Sequence, residues 1–178
     1  MKSDDGRRKV IALIGLRGAG KTTIGTRLAK MLKRSFLELD HMIEEEAGLR
    51  LDEVFELHGE AYYRRLEREV LRRFLSTGTA AVIASGGGLV TDRVTYDMLK
   101  QRTLTVWLKA RPEDYLARVA AQGDRRPMAG RAEPLAELRE LLKERETLYA
   151  EAEVTIDTSE KTPEEITRNV IQKASMDH

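Results

Sequence analysis

The 178-residue sequence contains no cysteine, which excludes disulfides, thiolate metal sites and cysteine nucleophiles together. That absence fits a reducing compartment. No apolar run approaches the roughly 20 residues that a membrane-spanning helix needs, and the opening segment "MKSDDGRR" lacks the apolar stretch of a secretory signal. Neither sign of charge dominates: 31 Lys and Arg oppose 30 Asp and Glu, a formal net charge of +1. No overall pull toward nucleic acid or a membrane surface is therefore implied. Internal repeats, low-complexity segments and an interdomain linker are missing as well. What remains is the expectation of a cytoplasmic, soluble protein with a single domain over 1–178, long enough for one full core and too short for two. No unexplained apolar surface stripe is evident, so a monomer is expected.

What is present is an alternation of short apolar runs and helical patterns. "KVIALIG" (9–15), "SFLEL" (35–39), "AAVIAS" (80–85), "TLTVWLK" (103–109) and "EVTID" (153–157) read as strands. Between them, 21–34, most of 40–76, 112–122, about 134–150 and about 163–174 read as helices, with interruptions at Gly48 and at "HGE" (58–60). "GDRRPMAG" (123–130) reads as a loop. Strands alternating with helices predict a three-layer α/β/α domain around a parallel sheet, with inserts at 40–76 and 111–131.

The first strand runs into "GLRGAGKTT" (15–23). Glycines 18 and 20 admit the backbone angles that let N–H groups converge on phosphate oxygens, and the helix start adds its positive dipole end. Lys21 then reaches the β- and γ-phosphates of a nucleotide, and the Thr22 hydroxyl is placed to ligate Mg²⁺. The pattern sits between a predicted strand and a predicted helix, the context it requires.

A phosphate donor needs an acceptor. "LELD" (37–40) puts Glu38 and Asp40 two residues apart at the carboxyl end of a strand, where period-two geometry turns both to one side. One carboxylate can hold Mg²⁺ through water while the other accepts a hydroxyl's proton. Asp40 as a helix cap is the competing reading. Arg145 lies on the apolar stripe of Leu135, Leu138, Leu142 and Tyr149, and Arg64 lies beside Tyr63 and Leu66 on an inward helix face. Arginines so placed need an anion partner, from the protein or from a ligand. Arg126 stands in the 123–130 loop, where it can swing over a phosphate, and "GGG" (86–88) exposes backbone at the ligand edge. Planar guanidinium pairs well with carboxylate, so the acceptor is expected to carry one.

Taken in order, "GLRGAGKTT", "LELD", "GEAYYRRLE", "SGGGLV", "RRPM", "LLKERETLY" and "TIDTSEKTP" resemble the shikimate kinase family over nearly the whole chain. The resemblance implies a P-loop NTPase fold of the nucleoside-monophosphate-kinase type with a mobile lid. It also implies ATP-dependent phosphorylation of the 3-hydroxyl of shikimate. Site roles follow by position. Gly18, Ala19, Gly20, Lys21, Thr22 and Thr23 cradle the ATP phosphates, and Thr22 and Glu38 serve Mg²⁺. Asp40 binds shikimate and takes its hydroxyl proton, while Arg64 and Arg145 grip its carboxylate with Gly86, Gly87 and Gly88 alongside. Arg126 reaches the transferring phosphate from the lid, and Arg118 and Pro163 sandwich the adenine.

Two departures stand out. The first acid after the second strand is Glu38 where the family commonly has aspartate, and the lid reads "RPMAG" where Arg-Pro-Leu-Leu is usual. The lid wording is also similar to the shikimate-kinase-like effector domains of benzoate-catabolism regulators, which sense benzoyl-CoA and carry a helix-turn-helix domain upstream. The eight residues before the first strand leave no room for such a domain within this chain. The alternative expectation is thus a sensor of an aromatic acyl-CoA, although a domain used only for sensing has no chemical reason to retain Asp40.

Overall fold

In the computed structural model, which describes residues 9–123 and 133–176, five short strands form one parallel sheet in the order β2-β3-β1-β4-β5. The strands are β1 (Val10–Ile14), β2 (Ser35–Glu38), β3 (Ala81–Ala84), β4 (Leu104–Lys109) and β5 (Val154–Asp157). The helices are α1 (Lys21–Leu32), α2 (Leu39–Ala47), α3 (Leu51–Ser76), α4 (Arg93–Arg102), α5 (Pro112–Ala121), α6 (Pro134–Tyr149) and α7 (Pro163–Met176). A 3-10 turn, Leu89–Thr91, precedes α4. Every residue of β1 and β3 is buried, because helices cover both faces of these inner strands, whereas β2 at the edge is partly exposed.

Handedness assigns the layers. The chain moves one way along the sheet from β1 to β2 through α1, and the other way from β2 to β3, from β3 to β4 and from β4 to β5. Right-handed crossovers therefore put α1 on one face and the helices of the later crossovers on the opposite one. Consistent with this, α7 packs on α1 while α3 packs on α4. No helix among the described residues is long and apolar enough to cross a membrane.

Register is what makes the functional edge. Glu38 pairs with Ala84, and Ala84 pairs with Leu13. Three strands that end in step deliver their three following turns to one place: the glycine loop after β1, Glu38 and α2 after β2, and the triple glycine after β3.

The sequence reading needs three corrections. Strand β2 ends at Glu38 rather than 39, so Asp40 lies in the first turn of α2; the cap position belongs to Glu38, and Asp40 is not the cap. Glu38 and Asp40 therefore reach one cleft by a strand-to-helix turn and not by strand alternation. The helix α4, with Asp92 accepting from Thr95 N at 3.0 Å, is an addition. Its only fully buried large side chains are Tyr96 and Leu99, too few to announce a helix by periodicity. The expected break at "HGE" is a kink at Gly59, with φ 78° and ψ 173°, inside an otherwise continuous α3.

Helix α1 approaches β2 closely at Gly25. A Cβ there would run into the Phe36 ring, 2.8 Å from Cδ2 and 3.0 Å from Cζ. Alanine gains about 1 kcal/mol of helix propensity over glycine, while overpacking costs about 1–3 kcal/mol. Gly25→Ala is expected to be destabilising by about 1 kcal/mol net, measured by urea unfolding; a stabilised variant would show that Phe36 swings aside at no cost.

Candidate active site

The glycine loop is shaped by what packs on it. Gly18 has φ +83°, and a Cβ there would sit 2.7 Å from Val119 Cγ2 and 3.0 Å from the Tyr115 carbonyl oxygen of α5. Only glycine meets both the angle and the approach. Helix α1 begins at Lys21 with Gly20 at the cap position, no capping side chain and no acidic residue in its first turn. Its first N–H groups and positive dipole end are thereby left for an anion. Lys21 Nζ donates to the carbonyl oxygens of Gly15 (2.5 Å) and Leu16 (3.0 Å), folded back along the loop. Burial lowers its pKa to about 8, opposed by the Asp40 and Glu38 carboxylates. A phosphate entering the loop would supply the counter-charge that restores the full positive charge.

Thr22 Oγ1 donates a short hydrogen bond to Glu38 Oε1, and His41 Nδ1 lies 3.4 Å from Glu38 Oε2. These side chains open onto a cleft of about 570 Å³ lined by the loop, Lys21, Thr22, Glu38, Asp40 and Gly86. Among the described residues there is no cluster of three or more His, Cys, Asp or Glu able to hold a metal. The hydroxyl–carboxylate pair of Thr22 and Glu38 offers hard oxygen donors beside a phosphate cradle. That set fits a Mg²⁺ that keeps its waters and takes phosphate oxygens, rather than a metal caged by protein.

Across the cleft, Asp40 Oδ1 accepts from Tyr63 Oη at 3.2 Å. Burial pushes the Asp40 pKa up, while the Tyr63 hydrogen bond and Lys21 pull it down. Tyr63 Oη is also 3.2 Å from Glu67 Oε2, and Arg64 Nη1 donates to Glu67 Oε1 at 2.8 Å. The Arg64 guanidinium lies against Gly88, where a Cβ would collide with Nη2. At the other end of the triple glycine, the Gly87 carbonyl accepts from Arg145 Nη1 (3.1 Å) and from Tyr149 Oη (2.5 Å). Tyr149 is buried and stacks on Trp107 at 5.6 Å between centroids, which anchors the end of α6 and sets Arg145 one turn earlier. A second hollow of about 410 Å³, walled by Gly88, Leu116, Leu138 and Arg145, shares Arg17 and Gly87 with the first.

The two conspicuous arginines thus have internal partners. Arg64 pairs with a carboxylate of its own helix, and Arg145 holds a backbone carbonyl. For Arg64 the anion partner comes from the protein, since Glu67 balances its charge, though both arginines still border the glycine turn. Glu67 went unnoticed in the sequence; an acid three residues after an inward arginine was the available signal. Thr23 lines the cleft and Ala19 is buried beneath the loop. Arg118 donates to the carbonyl of Ala19 (3.4 Å) and to Thr158 Oγ1 (3.1 Å), at the start of the loop that leads to Pro163, the exposed first residue of α7. Arg126 lies outside the described residues.

The sequence model for shikimate kinase matches residues 17–175. The chain belongs to the shikimate kinase family. A shikimate kinase of Caldanaerobacter subterraneus subsp. tengcongensis is 40% identical over 164 residues, covering 92% of this chain and 95% of that protein. One from Moorella thermoacetica is 42% identical over 160 residues, covering 90% and 91%. Among solved structures, shikimate kinase from Acinetobacter baumannii in complex with shikimate superposes with a TM-score of 0.83 at 37% identity, covering 94% of this chain and 93% of that one. Membership in the shikimate kinase family fits a cleft that brings the Lys21 loop opposite Asp40, with Arg64 against Gly88 and Arg145 on the Gly87 carbonyl beside it.

Proposed function

We propose that this chain transfers the γ-phosphoryl group of ATP to the 3-hydroxyl of shikimate, as a monomeric, one-domain enzyme of the cytoplasm. The observation that carries the reading is the convergence in one cleft of the Lys21 loop with Asp40 and with the triple glycine bordered by Arg64 and Arg145.

The chemistry follows from what each group can do. The loop amides and the α1 dipole bind the phosphates, and Lys21 exchanges the Gly15 and Leu16 carbonyls for phosphate oxygens. Arg118 and Pro163 border the adenine. Thr22 directly, and Glu38 through water, would hold Mg²⁺, which when bound screens phosphate charge and fixes the phosphates' orientation. The added methylene of glutamate brings the Glu38 carboxylate onto the Thr22 hydroxyl, so the departure from aspartate keeps the donor set. Arg64 and Arg145 grip the substrate carboxylate and set its ring so that one hydroxyl meets Asp40. The hydroxyl oxygen forms a bond to the γ-phosphorus as the bond from that phosphorus to the β–γ bridging oxygen breaks. ADP leaves with that oxygen, and Asp40 takes the hydroxyl proton. Arg126, from the lid, stabilises charge on the transferring group.

With Mg-ATP and shikimate, ADP release is expected at about 1–100 s⁻¹, the range of typical kinases, and only background release without shikimate. A coupled assay measures it. A folded, ATP-binding protein with no shikimate-dependent release sinks the reading. The acyl-CoA sensor alternative then gains if micromolar benzoyl-CoA raises the melting temperature while shikimate does not.

A further inference from the structure

Tyr63 has no part in the steps above, yet its hydroxyl is tightly constrained. The residue is 4% exposed, and its one proton faces two carboxylate oxygens, each at 3.2 Å, on Asp40 and on Glu67. Glu67 is fully buried, and its second oxygen accepts from Arg64. Asp40, Tyr63, Glu67 and Arg64 thus stand in one file at hydrogen-bonding distances, with a single phenol proton to serve the two carboxylates. The file joins the group assigned to take the proton with a group assigned to grip the carboxylate. The ring does not need its hydroxyl in order to pack. It contacts Phe55 at 4.5 Å between centroids and lies under the Arg64 guanidinium at 5.1 Å. Placing a phenol oxygen between a buried carboxylate, Glu67, and a half-buried one, Asp40, is costly unless its proton is used. Gly86 adds a second observation. A Cβ there would come within 3.1 Å of Asp40 Oδ1 and 3.5 Å of Tyr63 Oη. The missing side chain leaves a way in to the very oxygen that Tyr63 occupies.

A phenol can give its proton fully to one acceptor at a time. While Arg64 is engaged only with carboxylates of its own helix, Glu67 at 2.8 Å and the exposed Glu60 at 3.8 Å, Glu67 is well satisfied and the proton is available to Asp40 Oδ1. When a substrate carboxylate claims part of Arg64, Glu67 draws harder on the phenol. Asp40 Oδ1 is then released to accept the incoming hydroxyl. We infer that Tyr63 is a positioning residue that couples occupation of Arg64 by the acceptor's carboxylate to the availability of Asp40, so that the carboxylate contributes to kcat as well as to binding. Binding energy at a remote group is thereby expressed at the reacting centre. The inference rests on the proposed shikimate kinase activity.

The test compares shikimate with its carboxamide, which has the same ring and hydroxyls but no charge for Arg64, in the wild-type protein and in Tyr63→Phe. In the wild type the amide should show a raised KM and a kcat lower by about tenfold, the scale of one hydrogen bond to a charged group. In Tyr63→Phe the kcat ratio of acid to amide should fall to near one, with the KM ratio retained. A purely structural tyrosine would change both substrates alike and leave the kcat ratio intact. Glu67→Gln interrupts the same file and should also collapse the kcat ratio, which keeps the test open if Tyr63→Phe unfolds. A wild-type kcat equal for acid and amide, or a ratio unchanged in both variants, overturns the inference while leaving the kinase reading in place. No turnover of shikimate by the wild type overturns the kinase reading first.

Discussion

Asp40→Asn is expected to lower kcat by about 10²–10⁴, the usual contribution of a positioned general base, with the ATP KM little changed. The substitution is chosen because it removes one property. Asparagine keeps the size of the side chain and an oxygen that can accept from Tyr63, where Oδ1 now stands 3.2 Å away. It keeps the space that Gly86 leaves beside that oxygen. What it loses is the capacity to accept a proton from an attacking hydroxyl. Steady-state ADP release, with a melting curve to show that the fold is retained, measures the effect. A variant within a few-fold of the wild type would mean that the hydroxyl proton leaves by another route, to water or to the phosphate itself, and the role assigned to Asp40 would be lost.

Arg145→Ala is expected to raise the KM for shikimate by roughly thirtyfold, while ATP binding is nearly unaffected. Truncating one partner of a desolvated, hydrogen-bonded charge pair costs about 2–5 kcal/mol, and Arg145 is half-buried, so the lower end applies. The split between the two substrates follows from the local wiring. The Gly87 carbonyl that Arg145 holds is also held by Tyr149, so the glycine turn keeps an anchor when the arginine is removed. The phosphate loop is shaped separately, by α5 at Gly18 and by Lys21 on its own loop carbonyls. KM values for both substrates decide the matter; an equal loss for both would show that Arg145 supports the fold rather than the acceptor.

These two residues differ in how readable they were. Arg145 showed itself by being polar on an apolar stripe, a conflict between residue and pattern that survives in the structure as a half-buried side chain on a carbonyl. Asp40 was noticed for a neighbouring acid and for a strand geometry that proved wrong, since the strand ends at Glu38 and Asp40 belongs to the next helix. Both geometries lead to the same cleft, which Glu38 and Asp40 line together. Glu67 and the hydroxyl of Tyr63 were invisible as functional groups. An acid in "YYRRLE" looks solvated until the packing of α3 shows it fully buried. Helix α4 escaped because few of its residues face the core, so periodicity had little to report.

The sequence by itself determined the layers, the parallel sheet, the phosphate loop and most of the side chains proposed to meet the acceptor. Those depend on local rules: apolar runs bounded by glycine, helical spacing, and a phosphate-binding turn that needs its glycines and lysine in one contiguous stretch. Only the tertiary structure decided which groups meet. The in-step ends of β1, β2 and β3 bring loop, carboxylate and triple glycine to one edge, and α3 carries Glu67 between Arg64 and Tyr63. Such meetings join residues from separate segments and turn on ångström differences in packing, which no window of sequence contains.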